Sequence, residues 1–269
     1  MEGATTALPL GVRVRPFIDV NERCAASHLT AAALHSLPQR RQNEAFDDYH
    51  LIRPEGAAYL DRPHVIVHRM KLYEDEVTTI DGLPVTTPER TWLDMAELLS
   101  VDEIVAMGDA CVRAPRLEFE GRNMPLCSTW DLQRTIDKHR GKRGLRKAKE
   151  ALELIRVGSD SPQETLLRLA IVRAGLPEPE LNVPIIADDG SRHHEPDLSY
   201  RRYRIGIEYE GEHHGDESQI ARDIDRSERY AALGWTEVRI SKRHMVNDAK
   251  PAAAKVLVAL AQAGWRRGF

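Results

Sequence analysis

The run from Arg204 to Glu210 constrains this chain more than any other stretch. It alternates strictly, with Ile205, Ile207 and Tyr209 pointing one way and Gly206, Glu208 and Glu210 the other. Such a pattern is a strand with one apolar face. Residues two apart on a strand lie about 6.5–7 Å apart on the same side. Two carboxylates so placed repel each other unless a cation or a proton sits near them. A third acid precedes them. Ile185 to Ala187 is apolar, Asp188-Asp189-Gly190-Ser191 is turn-like, and Arg192 to Tyr200 reads as a return strand carrying Pro196-Asp197. A short turn at Tyr200 to Tyr203 then sets Asp197 on the strand beside Glu208. Oxygen ligands gathered on adjoining strands suit a hard cation such as magnesium or manganese.

Other elements frame this pair of strands. Ser161-Pro162-Gln163-Glu164 opens a helix that Gly175 ends, Glu217 to Leu233 is a second helix, Trp235 to Ile240 a strand, and Ala252 to Ala263 a closing helix. Three residues after Ser161, Glu164 completes a capping box. His193, His194, His213 and His214 invite a zinc reading. No ligand spacing among them fits a closed tetrahedral site, and the surrounding carboxylates favour magnesium or manganese.

At 269 residues and 42% hydrophobic content, the chain can bury a core and is expected to form two domains, 1–157 and 158–269. The formal net charge is −4, so any polyanion partner must be met by a local patch. Such a patch is present in Arg134 to Lys149, where Arg140, Lys142, Arg143 and Arg146 are the candidate phosphate contacts. The same segment reads equally as a solvated linker between the domains. Cys24, Cys111 and Cys127 have neither metal-ligand nor redox spacing, which suits a reducing cytoplasm. Neither a signal peptide nor an apolar run of about 20 residues is legible, so a soluble cytoplasmic protein is expected.

The first half reads as α+β. Ser27 caps a helix through Leu37, Tyr49 to Ile52 and His64 to His68 are strands, Asp81-Gly82 is a turn, and helices follow from Thr87 and over Val101 to Val112. The second half reads as a mixed sheet flanked by helices. The whole is an α/β chain.

Pro196-Asp197 followed by Glu208-x-Glu210-Gly211-x-x-His214 resembles the PD-(D/E)XK nuclease superfamily. With Gln219, Arg222-Asp223, Arg226, Gly234-Trp235 and Val238-Arg239, it is similar to the compact domains related to very-short-patch mismatch-repair endonucleases. The resemblance covers about Ser159 to Ser241. It implies a restriction-endonuclease-like fold and hydrolysis of DNA phosphodiesters with Mg2+ or Mn2+. Asp197 and Glu208 would be the metal ligands, Glu164 and Glu210 supporting acids, and His214 the proton carrier. Glu210 stands where such relatives carry Asp, and no lysine occurs between Lys149 and Lys242. Arg239 or Lys242 would then have to hold a phosphate in place of the superfamily's lysine.

Ser27-His28-Leu29-Thr30-Ala31-Ala32, with the run from Asp81 to Asp94, resembles antitoxin-like proteins of abortive-infection systems. That resemblance implies a second function: a regulator that binds DNA or a protein and keeps the nuclease fold as a scaffold. The partners that fit are DNA, a second copy of the chain, and a protein partner if the antitoxin-like half sets the function.

Overall fold

A computed structural model describes residues 8–21, 23–39, 48–57, 62–116, 120–187, 189–211 and 217–267, with side chains omitted over 217–224. The chain divides into two compact units, 1–155 and 156–269. Each carries a mixed sheet with helices, an α/β fold.

The first unit runs α1 (Leu10–Asp19), β1 (Ala25–Ala26), α2 (His28–Leu34), β2 (Tyr49–Arg53), β3 (Val65–Arg69), β4 (Val77–Ile80), β5 (Leu83–Thr86), α3 (Pro88–Met95), α4 (Val101–Val112), α5 (Thr129–Lys138) and α6 (Leu145–Leu154). Its sheet has the order β3-β2-β1-β5-β4. β1 lies antiparallel to β2 but parallel to β5, and β2 lies parallel to β3. Leu51, Leu83, Val85 and Ala26 bury their side chains against Val14 and Ile18 of α1. Ser100 starts α4 by accepting from the Glu103 amide while the Glu103 carboxylate reaches back to the Ser100 amide, satisfying two donors at the helix end.

Residues 134–149 are not a linker. They form the end of α5, a turn and the start of α6, all inside the first unit, with α5 packed on α3 and α6 on α4. The turn needs Gly144, which takes φ 79° and whose added Cβ would lie 2.5 Å from the Ala96 carbonyl carbon. Helical periodicity on both sides, broken by Gly141 and Gly144, describes an antiparallel helix pair.

The second unit runs α7 (Pro162–Arg173), β6 (Glu180–Leu181), β7 (Leu198–Tyr200), β8 (Ile205–Glu210), α8 (Glu217–Ala232), β9 (Thr236–Ser241) and α9 (Val246–Gln262). The strand order is β6-β7-β8-β9, antiparallel except for the parallel β8–β9 pair. Ile205, Ile207, Val238 and Ile240 face Leu167 and Ile171 of α7 and Val256 and Leu260 of α9. Burying a side chain of this size contributes about 1.5–3 kcal/mol. The expected return strand from Arg192 is much shorter. Residues 185–187 do turn back on 191–194, through Ile185 N–H to the His194 carbonyl at 3.0 Å, His193 N–H to the Ile185 carbonyl at 2.9 Å and a bridge between Ile186 and Arg192, but the sheet strand β7 begins only at Leu198. Pro196 has no amide to donate, and the sheet partner of β7 is β6 rather than the apolar run at Ile185.

Candidate functional sites

In the second unit the strand pattern places the acids. Asp197 immediately precedes β7, and its carboxylate accepts from the Tyr209 amide of β8 at 2.7 Å. Glu208 lies on the face of β8 opposite the apolar core and is buried. Its Oε1 accepts from the Tyr230 hydroxyl at 2.6 Å and meets His194 Nε2 at 2.6 Å. Gly206 makes this possible, because the Tyr230 ring occupies the space a Cβ there would fill, 2.4 Å from the hydroxyl oxygen. Glu164 caps α7 in a modified form. It accepts from the amide of Asp160, one residue before the N-cap, at 2.8 Å and from the Asn182 side chain at 3.1 Å.

Asp197 senses the other two carboxylates. Burial, then the charges of Glu164 and Glu208, push the Asp197 carboxyl up to about 7, against the Tyr209 amide, which favours the ionised form. Burial likewise raises Glu164. Glu210 is held differently. Arg226 reaches it at 3.2 Å and Arg239 at 3.4 Å, and both arginines also bind Glu237, at 2.9 and 3.1 Å. Arg226 therefore ties α8 to β8 and β9, and Arg239 is engaged by carboxylates. His214, like His213 and the Asp223 side chain, lies outside the described residues.

In the first unit, Arg140, Lys142 and Arg143 line a cleft of about 940 Å³ together with Arg69, Lys71, Arg90, Lys138, His68 and His139. Arg146 is exposed on α6 and is not part of that lining. The cations fall into two sets. Arg90 is fully buried and bonds Asp94 at 2.9 Å and Glu76 at 2.6 Å, while Lys142 meets Asp94 at 2.9 Å. Burial alone would raise the Asp94 carboxyl, but Arg90, His28 and Lys142 hold it below its ordinary value. Lys142 is thus part of a buried ion-pair network. Arg69, Lys71, Arg140 and Arg143 are exposed at the cleft and, with the half-buried Lys138, outnumber its three lining acids, Glu55, Glu97 and Asp137.

Sequence reasoning missed a third constellation. Among the described residues, the group of three His, Cys, Asp or Glu residues whose ligand atoms all lie within 4.8 Å of one another is His28, His50 and His68. The three are 22 and 18 positions apart and show no ligand spacing. Only the parallel pairing of β2 with β3, and the entry of α2 beside them, brings them together.

With both units described, the comparisons take on a location. Residues 25–114 match the AbiEi antitoxin C-terminal domain. The match begins at β1 and ends just after α4, so it spans the whole five-stranded sheet and one wall of the cleft. Two uncharacterized proteins of Mycobacterium tuberculosis, MT2308 and Rv2248, are each 30% identical to this chain over 162 residues. Those matches cover 60% of this chain and 56% of each relative's length, so little more than half of either relative is represented here. No solved structure matches the chain. The described residues include no helix long and apolar enough to cross a membrane.

Proposed function

We propose that this protein is an antitoxin-like regulator whose first unit binds DNA in the cation-lined cleft. The observation that carries the reading is the antitoxin-domain match over 25–114, which falls on the sheet that walls the cleft. The exposed cations at the cleft suit a phosphate backbone, whose neutralisation releases counterions and drives binding. They do so in a chain of net charge −4, so the attraction is local. In this reading the second unit is a scaffold.

One observation favours a second reading, a Mg2+- or Mn2+-dependent endonuclease. The Asp197 carboxyl is raised first by burial and then by the charges of Glu164 and Glu208, so acids are gathered there without a cation to offset them. The donor set is all oxygen, which fits either ion. Asp197 and Glu208 would hold the ion, which would supply an activated water and charge neutralisation at the phosphate. Glu164 would steady the pair from the cap of α7, Glu210 is committed to the arginines of β9 and α8, and His214 would carry the proton. Incubating the protein with duplex, mismatched, nicked and single-stranded DNA in magnesium or manganese separates the two readings. The regulator reading expects retention of DNA without cleavage. Cleavage that Asp197→Asn abolishes would establish the nuclease instead.

A further inference from the structure

The chemistry of His28, His50 and His68 is not used by either reading. His50 lies on β2 and His68 on β3, offset by two positions in the ladder, so both project from the same face. Their facing nitrogens, His50 Nδ1 and His68 Nε2, stand 3.0 Å apart. His28 enters from the first turn of α2, its ring stacked on His68 at 3.6 Å between centroids. The backbone clamps this geometry. The Ser27 amide donates to the His50 carbonyl at 2.9 Å, and the His50 amide to Thr30 Oγ1 at 2.8 Å. His28 itself takes φ 47°, a left-handed conformation that a residue with a Cβ adopts only when its surroundings impose it.

Two details point to a ligand. Ser27 Oγ lies 3.0 Å from His28 Nδ1 and is itself fully buried. If Nδ1–H donates to it, the lone pair sits on Nε2, as in a metal-bound histidine whose other nitrogen is held by an outer partner. That Nε2 is buried and has no hydrogen-bond partner, and His28 is 1% exposed. A buried polar atom left so is uncommon and costs about 1–3 kcal/mol. We propose that His28, His50 and His68 bind one divalent transition-metal ion of the zinc class, with an open position toward the cleft that His68 lines.

In the metal-free fold His50 and His68 share a hydrogen bond at 3.0 Å, and the His28 ring is stacked on His68. A metal would replace the shared proton, open the two nitrogens to the about 3.3–3.4 Å set by bonds of about 2.0–2.1 Å, and turn the His28 ring out of the stack so that its lone pair meets the ion. The charged groups facing the three rings are Asp94, whose carboxylate favours a cation, and Lys142, which opposes one and is neutralised by Asp94. All-nitrogen ligation with an open position is the donor set of zinc, cobalt, nickel and copper rather than magnesium.

The test is calorimetric titration of the metal-stripped full chain with Zn2+ and Co2+ at pH 7.5, beside His50→Gln, His68→Gln and the surface variant His64→Ala. One ion per chain is expected, with affinity reduced at least about tenfold in His50→Gln and His68→Gln and retained in His64→Ala. Absence of binding by folded wild type, or equal binding by folded His50→Gln and His68→Gln, overturns the site. X-ray absorption of the zinc-loaded wild type decides the matter even where a variant does not fold. A shell of three imidazole nitrogens at about 2.0–2.1 Å supports the site, and any shell with fewer overturns it.

Discussion

Asp197 is electrostatically strained in the second unit. Its carboxyl has an ordinary value of 3.8 and is pushed up to about 7 in the fold, chiefly by burial. The native state therefore holds that proton over a pH range in which the unfolded chain has lost it. Stability tied to this group is fully present below 3.8 and is lost as pH rises from there through about 7. Asp197→Asn keeps an oxygen to accept from the Tyr209 amide and removes the charge. It should leave stability nearly unchanged at pH 4 and raise it at pH 8 by on the order of 1 kcal/mol. Denaturant melts at the two pH values check this, and a destabilised variant at pH 8 would contradict it. Asp197 and Glu208 were legible as acids on adjoining strands from their alternation and turns, whereas Glu164 read from its position only as a helix cap and joined them through the resemblance alone. That Tyr230 and His194 share one oxygen of Glu208 was not legible, because neither residue is near it in the chain.

Elements were legible where one physical signal dominated. β8 follows its alternation, and α4 starts at the capping serine and runs over Val101–Val112 as its periodicity implies. β1 was invisible. Two alanines carry no period, and they become a strand only because β2 and β5 flank them. The hairpin of 185–187 onto 191–194 follows its apolar and turn residues, and Pro196, with no amide to donate, separates it from β7. Gly206 on β8 leaves the space in which the Tyr230 ring of α8 lies. Gly206→Val should displace that ring, break its bond to Glu208 and lower stability by about 1–3 kcal/mol. Chemical denaturation measures the loss. Wild-type stability in the variant would show that α8 can shift freely, contrary to its anchoring through Arg226.

At the scale of the whole molecule, an acidic chain carries a strongly cationic cleft, and the cations that line it come from segments far apart in sequence. Arg69 ends β3 and Lys71 follows it, whereas Arg140 and Arg143 lie in the turn between α5 and α6. Composition concealed the cleft, and the basic run at Arg134 to Lys149 exposed only half of it. The other half comes from the folded order of the strands. The linker reading of the same run fails because cations on helices pack through their stems and pair inward, as Lys142 does with Asp94. The most direct test of the regulator reading is the salt dependence of DNA binding, measured by fluorescence anisotropy from 50 to 200 mM salt on wild type and Arg140→Ala/Arg143→Ala. For wild type, log K should fall linearly with log salt. The double variant should bind about tenfold or more weakly, with its slope reduced by about 1.8, two phosphate contacts at about 0.9 each. A wild type that does not bind DNA at 50 mM salt, or a double variant with the same affinity and slope, would contradict the account.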